Sequence, residues 1–213
     1  GMAVGSVIVI TSGKGGTGKT SLTGGVGASL ALLGKQVLCL DGDVGLRNLD
    51  ITLGMTDAAL MDFSDVMAGR CDLSRAAVPH PTVSGLHLLT APLTLPGDFP
   101  GEAGFQALLQ QAREAYDYVL IDSPAGLGPG FRLAVCGADR AIVVAVSDPS
   151  SLRDAQRVVT QLSQLETIHL VVNRVRPRLL RRQNTTIDDA MDTAGLPLLG
   201  LVPEDPKVVL AAT

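Results

Sequence analysis

Gly13-Lys14-Gly15-Gly16-Thr17-Gly18-Lys19-Thr20 carries the spacing G-x-x-x-x-G-K-[ST]. The apolar run Val7-Ile8-Val9-Ile10 precedes it, and a helix-compatible run from Ser21 to Leu33 follows. Strand, glycine-rich loop and helix in that order are what a phosphate-binding loop requires. The glycines let successive backbone N–H groups turn toward one anionic centre. The helix start adds the positive end of its dipole. In that arrangement Lys19 reaches the β- and γ-phosphates of a nucleotide, and the Thr20 hydroxyl ligates Mg²⁺. The candidate nucleotide contacts here are Gly13, Lys14, Gly15, Gly16, Thr17, Gly18, Lys19 and Thr20, with Ser21 beside them.

Outward from this loop the chain alternates. Strands are expected near 6–11, 36–41, 86–90, 117–122, 140–146, 168–173 and 198–202. Helical patterns lie near 20–33, 58–68, 102–115, 149–166 and 186–194. Alternation of this kind predicts right-handed βαβ units, and so an α/β fold: a doubly wound, mostly parallel sheet with helices on both faces. The 213 residues suffice for one domain with a sizeable core, and no boundary interrupts 1–213. Hydrophobic residues make up 46% and aromatics 3%, so the core must be aliphatic. Val37-Leu38-Cys39-Leu40, Tyr118-Val119-Leu120-Ile121 and Ala141-Ile142-Val143-Val144-Ala145-Val146 read as strands buried on both faces.

Local punctuation supports the pattern. Gly34 stands where the first helix must stop. Asp148-Pro149 reads as an N-cap and first helical position. In the helix that follows, Leu152, Ala155, Val158, Val159 and Leu162 recur at helical spacing, while Arg153, Asp154, Gln156 and Arg157 face elsewhere. The Pro- and Gly-rich stretch Ala91 to Gly104 reads as a surface loop.

Composition excludes several classes. The net charge of −4 offers no global field for nucleic acid or an anionic membrane. No apolar run approaches the ~18–20 residues of a membrane span. Cys39, Cys71 and Cys136 are widely spaced and form no metal-type cluster; their odd number and the lack of a signal peptide suit a reducing cytoplasm. Gly1 ahead of Met2 reads as a scar of tag removal.

In doubly wound sheets ligands bind beyond the carboxyl ends of the strands. Two such ends carry acids: Asp41-Gly42-Asp43 and Asp122-Ser123-Pro124-Ala125-Gly126. Asp122, after its apolar run, is placed to hold a carboxylate near Mg²⁺, which keeps several waters and needs only one or two protein oxygens. The plainer reading is a cap on the next segment. Asp43, on a glycine-flanked loop, can hold the attacking water in line, since phosphoryl transfer needs positioning more than covalent chemistry. Asp41 would help to hold Mg²⁺ or stand behind its ligands. Two acids at i, i+2 are also common in ordinary turns. Gly126-Leu127-Gly128-Pro129-Gly130 reads as a hinge able to sense the γ-phosphate.

Lys14, just after the first glycine, is not needed by a generic phosphate loop. With it, Lys14 to Thr20 matches K-G-G-x-G-K-[ST], and the chain resembles the deviant Walker A ATPases of the MinD/ParA group. Nearly the whole length is similar to the MinD branch. Asp41-Gly42-Asp43-Val44-Gly45-Leu46-Arg47-Asn48-Leu49-Asp50 resembles its switch I, and Asp122 to Gly126 its switch II. Ser151-Leu152-Arg153-Asp154 falls in its partner-contact helix. Val172 to Pro177 resembles the base-recognition segment and Val202-Pro203-Glu204-Asp205 the segment that closes over the base. The resemblance implies that Lys14 crosses a dimer interface to the partner's nucleotide, and that Lys14, Lys19 and Asp43 serve catalysis. It also implies that Asn173, Arg174, Pro203 and Asp205 join the nucleotide contacts, Asn173 by reading adenine. Thr20, Asp41 and Asp122 form the metal set.

The same resemblance implies ATP and ADP with Mg²⁺ as ligands, a homodimer formed on ATP binding, slow hydrolysis stimulated by partners of MinC and MinE type, and a role in placing the division septum. It implies a cytoplasmic protein, peripheral at the inner face of the cell membrane where a C-terminal amphipathic helix is present; Pro206 to Thr213 is too short for one. Arg174, Arg176, Arg178, Arg181 and Arg182 form a basic patch for lipid phosphates, DNA or an acidic partner, or a solvated loop. Within the group, a ParA-like DNA-partition ATPase and a flagellar-number regulator are the alternatives. The acidic balance disfavours nucleic acid. An iron–sulfur protein would need cysteines near switch II, and the expected pair is missing.

Overall fold

The computed structural model describes residues 4–173 apart from 57 and 59, together with residues 191, 194, 197 and 210–212. Its frame is one sheet in which β1 (Ser6–Ser12), β2 (Val37–Asp41), β4 (Leu86–Leu89), β5 (Tyr118–Asp122), β6 (Arg140–Val146), β7 (Thr167–Asn173) and β8 (Leu210–Ala212) run parallel. The two-residue β3 (Val78–Pro79) is antiparallel to β4 at one edge. The strand order is β3-β4-β2-β5-β1-β6-β7-β8. From β1 the chain moves out to β2 on one side, and from β5 it crosses to β6 on the other. The loop after β1 thus opens at the point where winding reverses, which is where such sheets bind ligands.

The continuous apolar runs divide between two faces, as period-two side chains must. Ile8, Ile10, Val37, Cys39, Leu120, Ile142 and Val144 face α1 (Lys19–Leu32), and Val7, Val9, Leu38, Leu40, Val119, Ile121 and Val143 face the other layer. That layer is built from α5 (Gly101–Ala115), α6 (Pro129–Val135) and α7 (Pro149–Thr160), which bury Phe105, Leu108, Phe131, Ala155 and Val158. α1 has no polar face of its own and is buried almost throughout. Its small residues let it press onto the sheet: a methyl at Gly27 would stand 2.5 Å from Cys39 Sγ. Gly34 ends it, donating its N–H to Ala31 O at 2.9 Å.

The mostly parallel doubly wound sheet is as expected, with differences at the edges. The helical pattern near 58–68 narrows to α3 (Phe63–Met67), because Asp62 starts the helix with a capping box: it accepts from Ser64 N and Asp65 N, and Asp65 accepts from Asp62 N. The helix expected over 149–166 stops at Thr160, and 161–165 follow as hydrogen-bonded turns. Two one-turn helices, α2 (Leu49–Thr52) and α4 (Leu73–Ala76), and the strands β3 and β8 were not anticipated. The Gly126–Gly130 segment, expected as a hinge, runs into a helix at its end. Pro129 takes the first position of α6, where its missing N–H costs nothing. Leu152, expected in the core, is 37% exposed. Asp148 caps α7 as predicted, accepting from Ser151 N at 2.7 Å. The expected strand 198–202, the arginine run, Arg174, Pro203 and Asp205 lie outside the described residues.

Candidate functional site

The loop between β1 and α1 walls a cleft of about 780 Å³. Its lining takes in Gly15, Gly16, Thr17, Gly18, Lys19, Thr20 and Ser21, with Asp43, Leu46, Asn48 and Ile51 opposite and Pro124 and Ala125 to one side. Gly16 (φ 78) and Gly18 (φ 86) adopt left-handed backbone, which is how the loop turns in so few residues. Gly13 lies against α7 instead: a methyl there would stand 2.4 Å from Asp154 Cβ.

Lys19 and Asp122 meet in a buried ion pair at the cleft floor, Nζ on Oδ1. Thr20 Oγ1 donates to Asp122 Oδ2 at 2.9 Å. Thr23 Oγ1 donates to Lys19 O at 2.9 Å and stands 3.3 Å from Asp122 Oδ1. A buried ion pair is weak evidence for stability, because desolvation offsets the attraction. Lys19 and Asp122 both stand where the sequence reading puts them, on the first turn of α1 and the last residue of β5.

Asp41 and Asp122 are register neighbours at the ends of β2 and β5. Asp41 is buried, with Oδ1 accepting from Asp43 N at 2.9 Å and Oδ2 from Leu49 N at 3.4 Å. Burial, then the charge of Asp122, pushes its pKa up from 3.8 to about 7, against the pull of those two amides. Burial also raises Asp43, while Lys19 pulls it the other way. Asp43 remains half exposed at the cleft wall.

Asn173, at the end of β7, is buried and donates from Nδ2 to Thr17 O at 3.2 Å, so the expected base reader also touches the phosphate loop. Thr17 Oγ1 is buried without a hydrogen-bond partner among the described residues. Lys14 rests on α7 of its own chain, donating to Ser150 Oγ at 3.2 Å and lying 3.7 Å from Asp148 Oδ1. Thr23 and Ser150 carry no expectation from the sequence, and Asp148 is expected there only as a helix cap. Thr23 had a signal, since it follows Lys19 by one helical turn. The contact of Ser150 with Lys14 joins residues 136 apart and had none. A second, more apolar cavity of about 550 Å³ shares Asp43, Pro124 and Ala125 with the cleft and is walled by Phe99 and Phe131.

A glycine loop between a central parallel strand and a buried helix, with a lysine, a threonine and an aspartate converging at its base, defines a P-loop nucleotide-binding protein. Comparison with known proteins narrows this. Residues 8–213 match the CobQ/CobB/MinD/ParA nucleotide binding domain. The septum site-determining protein MinD of Synechocystis sp. is 40% identical over 208 residues, 96% of this chain and 78% of the relative. The chain in the MinC:MinD cell division protein complex of Aquifex aeolicus superposes with a TM-score of 0.73 at 39% identity, covering 88% of this chain and 76% of that one. The septum site-determining protein MinD of Pyrococcus horikoshii, complexed with Mg-ADP, gives a TM-score of 0.70 at 31% identity over 94% of this chain and 82% of that one. The chain belongs to the MinD/ParA nucleotide-binding family, on its MinD branch.

Proposed function

We propose that this chain is an ATP-hydrolysing switch of MinD type that pairs with a second copy when ATP is bound and acts in placing the division septum. The observation that carries the reading is the convergence of Lys19, Thr20 and Thr23 on Asp122 at the floor of a phosphate-loop cleft. The relatives' names give the cellular role, and the horikoshii relative holds Mg-ADP.

ATP enters with its phosphates against the amides of Gly15 to Thr20. Lys19 turns from Asp122 to the β- and γ-phosphate oxygens. That exchange keeps the ammonium paired and leaves the Asp122 carboxylate beside the Thr20 hydroxyl. A hydroxyl and a carboxylate 2.9 Å apart are hard oxygen donors of the kind Mg²⁺ takes. Held by these two oxygens, Mg²⁺ would offset charge on the phosphates. Asp43 accepts a hydrogen bond from the attacking water and sets it in line with the γ-phosphorus. Asn173 holds the adenine side, steadied by its bond to Thr17 O. Arg174, Pro203 and Asp205 complete the nucleotide contacts in this reading.

Lys14 leaves Ser150 and Asp148 to meet the nucleotide of the second copy. A MinC-type partner covers α7, where Leu152 and Arg153 are exposed; a MinE-type partner stimulates hydrolysis. Among the described residues no helix is long and apolar enough to cross a membrane. The test is solution size with ADP and with ATP, each with Mg²⁺, for the parent and for Lys14→Ala. ATP should produce dimers that Lys14→Ala weakens; a parent that stays monomeric under saturating ATP and Mg²⁺ would refute the pairing.

A further inference from the structure

The loop from Gly42 to Asn48 joins β2 to α2 and carries Asp43 to the cleft. Its other main-chain bonds are few: Gly45 N to Pro92 O, and Leu46 N and Arg47 N to Asp43 O, each at 3.3 Å, against 2.9 Å for Asp43 N and 3.4 Å for Leu49 N to Asp41. Leu46 is 66% exposed. Arg47 sits at φ 51, a left-handed conformation that a non-glycine residue adopts at a cost and keeps only where its surroundings impose it. One buried carboxylate fastens both ends of this loop. Asp41 accepts from Asp43 N two residues on and from Leu49 N eight residues on. Leu49 is itself fully buried in the α1-side core, so the second bond ties the loop to a fixed point. On the strand side Gly42 N continues the ladder to Asp122 O at 2.8 Å.

We propose that Asp41 is a positioning residue for hydrolysis: through the amides of Asp43 and Leu49 it clamps the 42–49 loop, with its kink at Arg47, and keeps Asp43 at the cleft. Asp43 acts here in the water-orienting role proposed above. A carboxylate that holds main chain and one that holds metal differ in what their loss changes. Without the clamp, Asp43 wanders and turnover drops while nucleotide and Mg²⁺ still bind. Without a metal ligand, Mg²⁺ binding weakens and turnover returns once Mg²⁺ is raised.

The experiment compares the parent with Asp41→Ala in two measurements. Amide hydrogen exchange by NMR, without nucleotide, should show the Asp43 and Leu49 amides exchanging about tenfold faster, as loss of one hydrogen bond implies. Steady-state hydrolysis should show kcat falling about tenfold or more, with KM for ATP and the Mg²⁺ half-saturation within about twofold. Asp41→Asn keeps the volume and one acceptor oxygen and should fall between the two; if Asp41→Ala does not fold, Asp41→Asn is read by the same criteria. Unchanged exchange at both amides overturns the clamp. So does a Mg²⁺ half-saturation that rises about tenfold with kcat recovered at saturating Mg²⁺. If the parent itself hydrolyses no ATP, the functional reading falls, and the two amides still decide whether Asp41 holds the loop.

Discussion

At the amino end of the strands, Asp139 receives Arg113 in a two-pronged ion pair, one arm measuring 2.9 Å, and accepts from Val7 N at 2.8 Å. Arg113 also donates to Gly137 O at 2.7 Å and Gly5 O at 3.2 Å. Every one of these partners belongs to the frame: β1 and the residue before it, α5, and the turn into β6. At the carboxyl end, Asp122 receives Lys19 and Thr20, with the Thr23 hydroxyl 3.3 Å away, and Lys19 and Thr20 line a cleft. Both ends set an aspartate against a cation, yet what surrounds the pair differs. Backbone carbonyls lock the arginine fork in place, as its planar geometry favours. The lysine is a point charge on a flexible stem, held by one carboxylate it can leave. The first pair joins the ends of elements together; in the function proposed above, the second is exchanged for phosphate and metal.

The largest effect should fall on the exchangeable pair. Lys19→Ala should cut hydrolysis by about a thousandfold, the scale of losing a principal charge-stabilising donor. The parent should gain about 2.7 kcal/mol of stability from Mg-ADP at a hundredfold excess over Kd, and Lys19→Ala none. A normal thermal shift with Mg-ADP in Lys19→Ala would erase the distinction between the two ends.

Arg113→Ala should show the reverse. The fork is partly exposed, so its loss should cost about 1.5–3 kcal/mol, read as a lower Tm without nucleotide. Mg-ADP should still raise the Tm of this variant as much as that of the parent. Impaired nucleotide binding in Arg113→Ala would mean that the amino end of the sheet is not merely structural.

The carboxyl-end site is legible in the sequence because most of it is local. β1, the glycine loop and the start of α1 are consecutive, and Asp122 is marked by the apolar run before it. The Arg113–Asp139 fork had no such mark: its members are 26 residues apart and meet only once α5 packs back across β1. α6 was hidden because Gly128-Pro129-Gly130 reads as a breaker, although proline suits a first helical turn. Leu152 fits the helical period of α7, but the sheet receives only the face carrying Ala155 and Val158, and the first turn overhangs the phosphate loop. Asp41 was recognised as a site residue. Its grip on two amides depends on a turn whose left-handed Arg47 no spacing rule suggests.

The smallest effect is one of pH and belongs to Asp41. Its pKa stands at about 7 in the folded protein against an ordinary 3.8, so the fold binds a proton that the unfolded chain has already lost. The stability this contributes is present below about pH 4 and is lost as pH rises through about 7. Asp43, also raised, adds to the same slope. Melting without nucleotide or Mg²⁺ should therefore show Tm falling between pH 5 and 8 more steeply in the parent than in Asp41→Asn. Equal slopes would remove Asp41 as a titrating burden on the fold.

The most direct test of the exchange at Lys19 and Asp122 is calorimetric titration of ADP with Mg²⁺ into the parent protein. A saturable heat at one site per chain, lost in Lys19→Ala, is the predicted result. No heat from the parent, or the same heat from Lys19→Ala, would contradict it.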